Sequence, residues 1–153
     1  MHSATIDVQH LLEAVGETLE AMAFVSLLPV ESPPELPSAP VFVQIQFKGH
    51  VSGALELAAP VDFGKAIVLG ATGGDSRSAP SELQAHDALQ ELMNVAAGAM
   101  LRTENEDEKF DISLPTTPVP MTDTQWIEFV ESGRAAVVEA EGSIIALGVM
   151  LSE

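Results

Sequence analysis

Asp87, Glu91, Asn94 and Gly98 stand at i, i+4, i+7 and i+11. On an α-helix, at about 100° per residue, they fall within roughly 60° of one another and form one stripe. Leu89, Leu92, Met93, Ala96 and Met100 gather on the opposite side, which the spacing predicts to be buried. The stripe therefore carries two carboxylates, a carboxamide that both donates and accepts hydrogen bonds, and a residue with no side chain. A solvated helix face also collects Asp and Glu, so the carboxylates alone carry little information. Asn and Gly carry more. Asn is a poor interior helix residue because its side chain competes for backbone hydrogen bonds, and a glycine costs about 1 kcal/mol relative to Ala in the same helix. Two destabilising choices on one stripe suggest that something must approach closely there.

The elements that must position this stripe are readable in outline. Ser81-Glu82-Leu83-Gln84 has the S-x-x-Q form of a capping box, and no proline or paired glycine follows until after Arg102, so a helix is predicted over about 81–103. Ile6, Val8, Leu11, Leu12, Val15, Leu19 and Met22 predict an amphipathic helix over roughly 5–22. Pro29, Pro33, Pro34, Pro37 and Pro40 then mark an extended connection over about 29–40. From Val41 the period changes to two, and Val41–Phe47 and Val51–Leu57 predict an antiparallel hairpin turning at Lys48-Gly49-His50. Asp62 is a candidate cap for a short helix through about Leu69, with a small-residue loop over 70–80. Phe110–Leu114 alternates again before Pro115, Pro118 and Pro120, and Trp126–Val130, Ala135–Ala140 and Ser143–Leu151 read as strands, the last two joined at Glu141-Gly142. Strands in hairpins interrupted by helices indicate the α+β class, an antiparallel sheet packed against helices, in a single domain over 1–153.

Composition narrows the chemistry. Six Lys+Arg against 23 Asp+Glu give a net charge of −17, which opposes binding to nucleic acid or to an anionic membrane surface. With no cysteine there is no disulfide, thiol nucleophile or cysteine-ligated metal. His2, His10, His50 and His86 share no ligand spacing, so no metal site is expected. The glycine-rich Gly70–Asp75 lacks the Gly-Lys-Ser/Thr of a phosphate loop and reads as a flexible turn. The acidic run Glu104–Glu108 reads as a solvated helix exit. Without a secretory signal or a run of apolar residues long enough to span a bilayer, a cytoplasmic location is expected.

The string His86-Asp87-Ala88-Leu89-Gln90-Glu91-Leu92-Met93-Asn94-Val95-Ala96-Ala97-Gly98 resembles the signature helix of the CheX and CheC chemotaxis phosphatases. That signature reads acidic-or-Ser, three residues, Glu, two residues, Asn, and then a small-residue position. The hairpin Phe47–Leu57, the helix that includes Ala66–Leu69 and the later Ile112-Ser113-Leu114-Pro115 follow the order of CheX-like domains, so the resemblance covers about 41–118. A single Glu-Asn pair is similar to CheX rather than to the duplicated arrangement of CheC. Two positions depart from the pattern. Gln90 stands where family members commonly carry Gly, a bulkier group beside a docking face, and both Pro115 and Pro118 lie near the position of the family's downstream proline.

The resemblance implies a CheX-like fold and hydrolysis of the phosphoaspartate on a CheY-type receiver domain. Glu91 and Asn94 would be the catalytic pair, with Asp87, Gln90, Gly98 and Pro115 contacting the partner. Asn94 would hold the attacking water, as a Gln does in GTPases, and Glu91 would pair with the receiver's lysine. No cofactor is implied in this chain, since Mg²⁺ belongs to the phosphorylated receiver. A homodimer is expected both from the resemblance and from the apolar strands after Trp126. A receiver-binding scaffold or sensor of the same fold, without hydrolysis, is the alternative, and a dimerisation module is a third.

Overall fold

In the computed structural model, which describes residues 6–30, 36–73, 79–102 and 109–152, a hairpin of two nine-residue strands forms the centre of the sheet. Strand β2 (Pro40–Lys48) buries Val41, Val43, Ile45 and Phe47 and leaves Gln46 and Lys48 exposed. It pairs antiparallel with β3 (Ser52–Pro60), from Pro40 opposite Pro60 to Phe47 opposite Gly53. Strand β7 (Ser143–Ser152) pairs with the other edge of β3, and β6 (Ala135–Ala140) pairs with β7. Glu141 and Gly142 connect those two strands, both at positive φ (49° and 79°), the conformation that a two-residue hairpin turn requires.

Short strands complete the sheet. Strand β1 (Leu28–Pro29) pairs with β6, while β4 (Asp111–Ile112) and β5 (Val119–Pro120) both pair with the free edge of β2. The resulting order is β1-β6-β7-β3-β2-β4, with β5 beside β2, and every pairing is antiparallel. Pro29 and Pro120 are tolerated because both belong to short edge strands.

Three helices cover one face of this sheet: α1 (Val8–Ala23), α2 (Val61–Ala71) and α3 (Glu82–Met100). Their buried residues, including Leu11, Leu19, Phe63, Ile67, Leu89 and Met93, form one core with Val43, Ile45, Leu55 and Leu57. Gly64 lets α2 lie close to α3, because a Cβ there would come within 2.5 Å of the Ala85 carbonyl oxygen. A smaller core lies on the other face, where Trp126 and Phe129 pack over Ala58 and Ala146.

The α+β architecture expected from the sequence is present, and three local expectations change. Residues Trp126–Val130 are helical: they belong to α4 (Asp123–Val130), which Thr122 and Gln125 start with a reciprocal capping box. Trp126 is buried on this helix. Asp62 is not a cap. Helix α2 begins after Pro60, which makes no side-chain capping bond, and Asp62 occupies the first turn. Strand β4 is limited to Asp111–Ile112, because Ser113 and Thr116 continue the contact with β2 outside regular strand geometry. Pro33, Pro34, Asp75 and the acidic run Glu104–Glu108 lie outside the described residues.

Candidate functional site

Helix α3 is anchored at its start by the expected capping box. Ser81 Oγ accepts from Gln84 N at 3.1 Å and Gln84 Oε1 accepts from Ser81 N at 2.8 Å. Ala85, Leu89, Leu92, Met93, Ala96 and Ala97 are buried, which fixes the rotation of the helix about its axis. Asp87, Glu91, Asn94 and Gly98 are consequently exposed on the opposite side. A Cβ built on Gly98 meets nothing within 4 Å, so nothing within the described molecule requires a glycine there.

The stripe forms one wall of an open groove of about 410 Å³, lined by Asp87, Gln90, Glu91, Asn94, Leu114 and Pro115. The opposite wall is the segment between β4 and β5, held to the edge of β2 in an unusual manner. Ser113 N donates to Gln46 O at 2.8 Å while Ser113 Oγ accepts from Gln46 N at 2.9 Å. Thr116 repeats the pattern with Gln44, its N donating at 2.9 Å and its Oγ1 accepting at 2.9 Å. Two hydroxyls thus replace two strand carbonyls, satisfying the edge of β2 while the chain between them bows outward. From above, Gln90 Nε2 donates to Thr116 O at 3.0 Å and ties α3 to this segment.

The structure thus brings together five of the six residues singled out in the sequence: Asp87, Gln90, Glu91, Asn94 and Pro115. Gly98 lies one turn beyond Asn94 on the same exposed face. Of the two prolines near the family position, Pro115 lines the groove and Pro118 is buried away from it. Gln90 is half-buried with its amide committed to Thr116, so it braces the groove in addition to occupying space beside it. Sequence reasoning missed Leu114, Ser113 and Thr116. The Ser-x-x-Thr spacing around Leu114-Pro115 was visible, but only the edge of β2 gives those hydroxyls a purpose.

The lining includes two carboxylates, one of each length, and two carboxamides, with no basic side chain and no Ser, Cys or His that could act as a nucleophile–base pair. Glu91 and Asn94 stand side by side in this groove. His86, next to Asp87 in the chain, is not among the lining residues; its Nε2 is buried, with Glu82 Oε1 3.7 Å away. His10 bonds Asp7 and His50 packs against Phe110, so these three histidines occupy separate places. Among the described residues no group of three His, Asp or Glu side chains could hold a metal ion, and no helix is long and apolar enough to cross a membrane. A second cavity, of about 420 Å³, lies by α4 between Phe42, Met121, Phe129 and Arg134, where Arg134 is already paired with Glu56.

The fold is shared with solved chemotaxis proteins. The chemotaxis protein CheX from Vibrio vulnificus superposes with a TM-score of 0.68 at 16% identity, covering 95% of this chain and 98% of that one. A CheX–CheY–BeF3–Mg²⁺ complex from Borrelia burgdorferi matches with a TM-score of 0.64 at 20% identity, covering 97% and 100% of the two chains. A CheC-like superfamily protein from Shewanella gives 0.63 at 16% identity, with coverage of 95% and 97%. No curated protein matches the sequence. The family model for the chemotaxis phosphatase CheX matches residues 41–122, more than half of the 153-residue chain and inclusive of both walls of the groove: the chain belongs to the CheX family.

Proposed function

We propose that this chain is a phosphatase for the phosphoaspartate of a CheY-type response regulator in chemotaxis or two-component signalling. The observation that carries this reading is the exposure of Glu91 and Asn94, three residues apart on the capped and rotationally fixed α3, in a groove that a partner can enter. Residues at that spacing project from the same side of a helix, so one rigid element delivers both to the partner. The Borrelia complex, in which a family member is bound to CheY, supports a receiver as the partner class.

In this mechanism the receiver supplies the phosphoryl group, its Mg²⁺ and a lysine. Hydrolysis then needs chiefly a water in line with the bond to be broken. The Asn94 carboxamide accepts from that water with its oxygen and offers its NH₂ group to the phosphoryl oxygens or to the water itself. Glu91 pairs with the receiver lysine and sets the register, while Asp87, one turn earlier, adds a second carboxylate to the docking face. The attacking water breaks the P–O bond to the aspartate, leaving inorganic phosphate and a free carboxylate.

The phosphoryl lifetime of the CheY-type receivers of the same cell, measured with and without the chain, tests this reading. Asn94→Ala is expected to reduce the stimulated rate about 100-fold or more, the scale of one lost transition-state group, with its circular dichroism unchanged. A folded Asn94→Ala chain that turns over phosphoreceiver at the wild-type rate overturns the assignment. Wild-type binding with no change in phosphoryl lifetime identifies a receiver-binding scaffold instead. Self-association belongs to the same reading, and sedimentation at tens of micromolar is expected to return the mass of a dimer.

A further inference from the structure

Leu114 is 84% exposed at the rim of the groove, yet the backbone on both sides of it is held by hydrogen bonds. Ser113 and Thr116, which bracket Leu114-Pro115, each make two hydrogen bonds to β2. Ser113 Oγ lies 3.1 Å from the Leu114 carbonyl oxygen, Pro115 has its φ fixed by its ring, and Gln90 holds Thr116 O from the α3 side. A single exposed leucine is ordinary. A leucine displayed on a ledge fastened from two directions, across a groove from Asp87 and Glu91, is a preorganised contact. Holding a contact in place beforehand removes part of the ordering cost of association, which is how a few side chains come to dominate an interface. Phe24, equally exposed, lines no part of this groove.

We propose that Leu114 is the apolar anchor with which this chain grips its receiver partner, and that Gln90 is the positioning residue that holds the anchor in place. This rests on the receiver-directed reading of the groove. The occupant is the phosphorylated receiver, on a surface that offers an apolar recess for Leu114 beside a cation for Glu91 and Asp87. Charge complementarity sets the orientation: both carboxylates lie on the α3 wall and the leucine lies on the other, so only a surface with the cation and the recess side by side satisfies both. Gln90 therefore has a purpose other than crowding the partner. Its N–H replaces the open space of a glycine with a clamp on the opposite wall.

The test measures affinity and turnover separately, using the full chain and the same cell's CheY-type receivers loaded with beryllium trifluoride and Mg²⁺ for binding, and phosphorylated for turnover. Leu114→Ala is expected to weaken binding about 10-fold or more, while the hydrolysis rate in the saturated complex falls less than about 3-fold. Gln90→Ala and Gln90→Met are expected to weaken binding by similar factors, about 3- to 10-fold, because each lacks the N–H although Met keeps the bulk. In the Leu114→Ala background, Gln90→Ala is expected to add less than about 2-fold, since its effect passes through the leucine.

Wild-type affinity in Leu114→Ala overturns the proposal, as do fully additive losses in the double variant. Tighter binding by Gln90→Ala also overturns it, because Gln90 would then be an obstacle. If the Gln90 variants unfold, Leu114→Ala and Leu114→Ser decide the matter alone, since a side chain this exposed contributes little to the core. A wild-type chain that binds loaded receivers without shortening the phosphoryl lifetime defeats the phosphatase reading and leaves the anchor to be judged by the binding losses. A wild type that binds none of the receivers defeats both.

Discussion

Gly98 is an exposed residue, one turn beyond Asn94, with open space where its side chain would stand. Nothing among the described residues requires a glycine there. Gly98→Ala is expected to stabilise the chain by about 0.5–1 kcal/mol, since Ala is the better helix former and restricts the unfolded chain more. The same substitution is expected to reduce stimulated dephosphorylation several-fold by obstructing the partner. Urea denaturation and phosphoryl-lifetime measurements on one preparation check the two signs together, and a stabilised chain with wild-type turnover removes Gly98 from the docking face. That Glu91 and Asn94 share an exposed face was legible at this scale, because spacing along a helix fixes which residues lie on one side. Gln90 was not. Its neighbours in sequence give no hint that its amide reaches Thr116, 26 residues later in the chain.

Among the elements, α3 and α4 start in the same way, with capping boxes at Ser81/Gln84 and Thr122/Gln125. The first was read correctly and the second was hidden by the residues that follow it. Trp126 and Phe129 are aromatic and Ile127 and Val130 β-branched, all types favoured in strands, yet burial of Trp126 and Phe129 on one helical side outweighs that propensity. Helix α4 also supports a pairing across the sheet. Glu56 on β3 is 2% exposed, and Arg134, just before β6, reaches it over Gly148 of β7 with bonds of 2.8 Å from Nε and 3.2 Å from Nη2. The guanidinium lies 5.3 Å from the centre of the Phe129 ring, and its hydrogen bond to Glu56 holds the Arg134 pKa above its ordinary value. Arg134→Ala strands the buried carboxylate. The expected cost is about 2–3 kcal/mol, below the upper range for a broken buried pair because solvent reaches the arginine. The urea midpoint should fall with an unchanged slope; a midpoint within experimental error of wild type would show that water replaces the arginine without loss.

For the whole molecule, the net charge of −17 is a field rather than a site. Asp87 and Glu91 place part of that charge in the groove, where a cation on a partner would feel it most directly. Association with a loaded receiver is accordingly expected to slow as ionic strength rises, with most of the decline between about 0.01 and 0.15 M salt, where the screening length shortens from about 30 to 8 Å. Stopped-flow association rates at several salt concentrations check this, and a flat dependence assigns the charge to solubility alone. Tertiary arrangement also joins distant segments. Residues of α3 and of the stretch after β4 form the two walls, while β2, from much earlier in the chain, supplies the edge that holds the second wall.

Sequence by itself determined which side of α3 is buried, which residues form the exposed stripe, and that an antiparallel sheet carries the helices. Each follows from a short period or a local hydrogen-bonding motif, whose physics is confined to a few consecutive residues. Tertiary structure alone decided that Pro115 rather than Pro118 faces the stripe, that Gln90 braces the groove, and that Leu114 stands at its rim. Those outcomes depend on the open edge of β2, where Ser113 and Thr116 satisfy backbone groups far away in sequence. A hydroxyl's choice of partner is settled by where the chain brings the unpaired donors, and no spacing along the sequence records it.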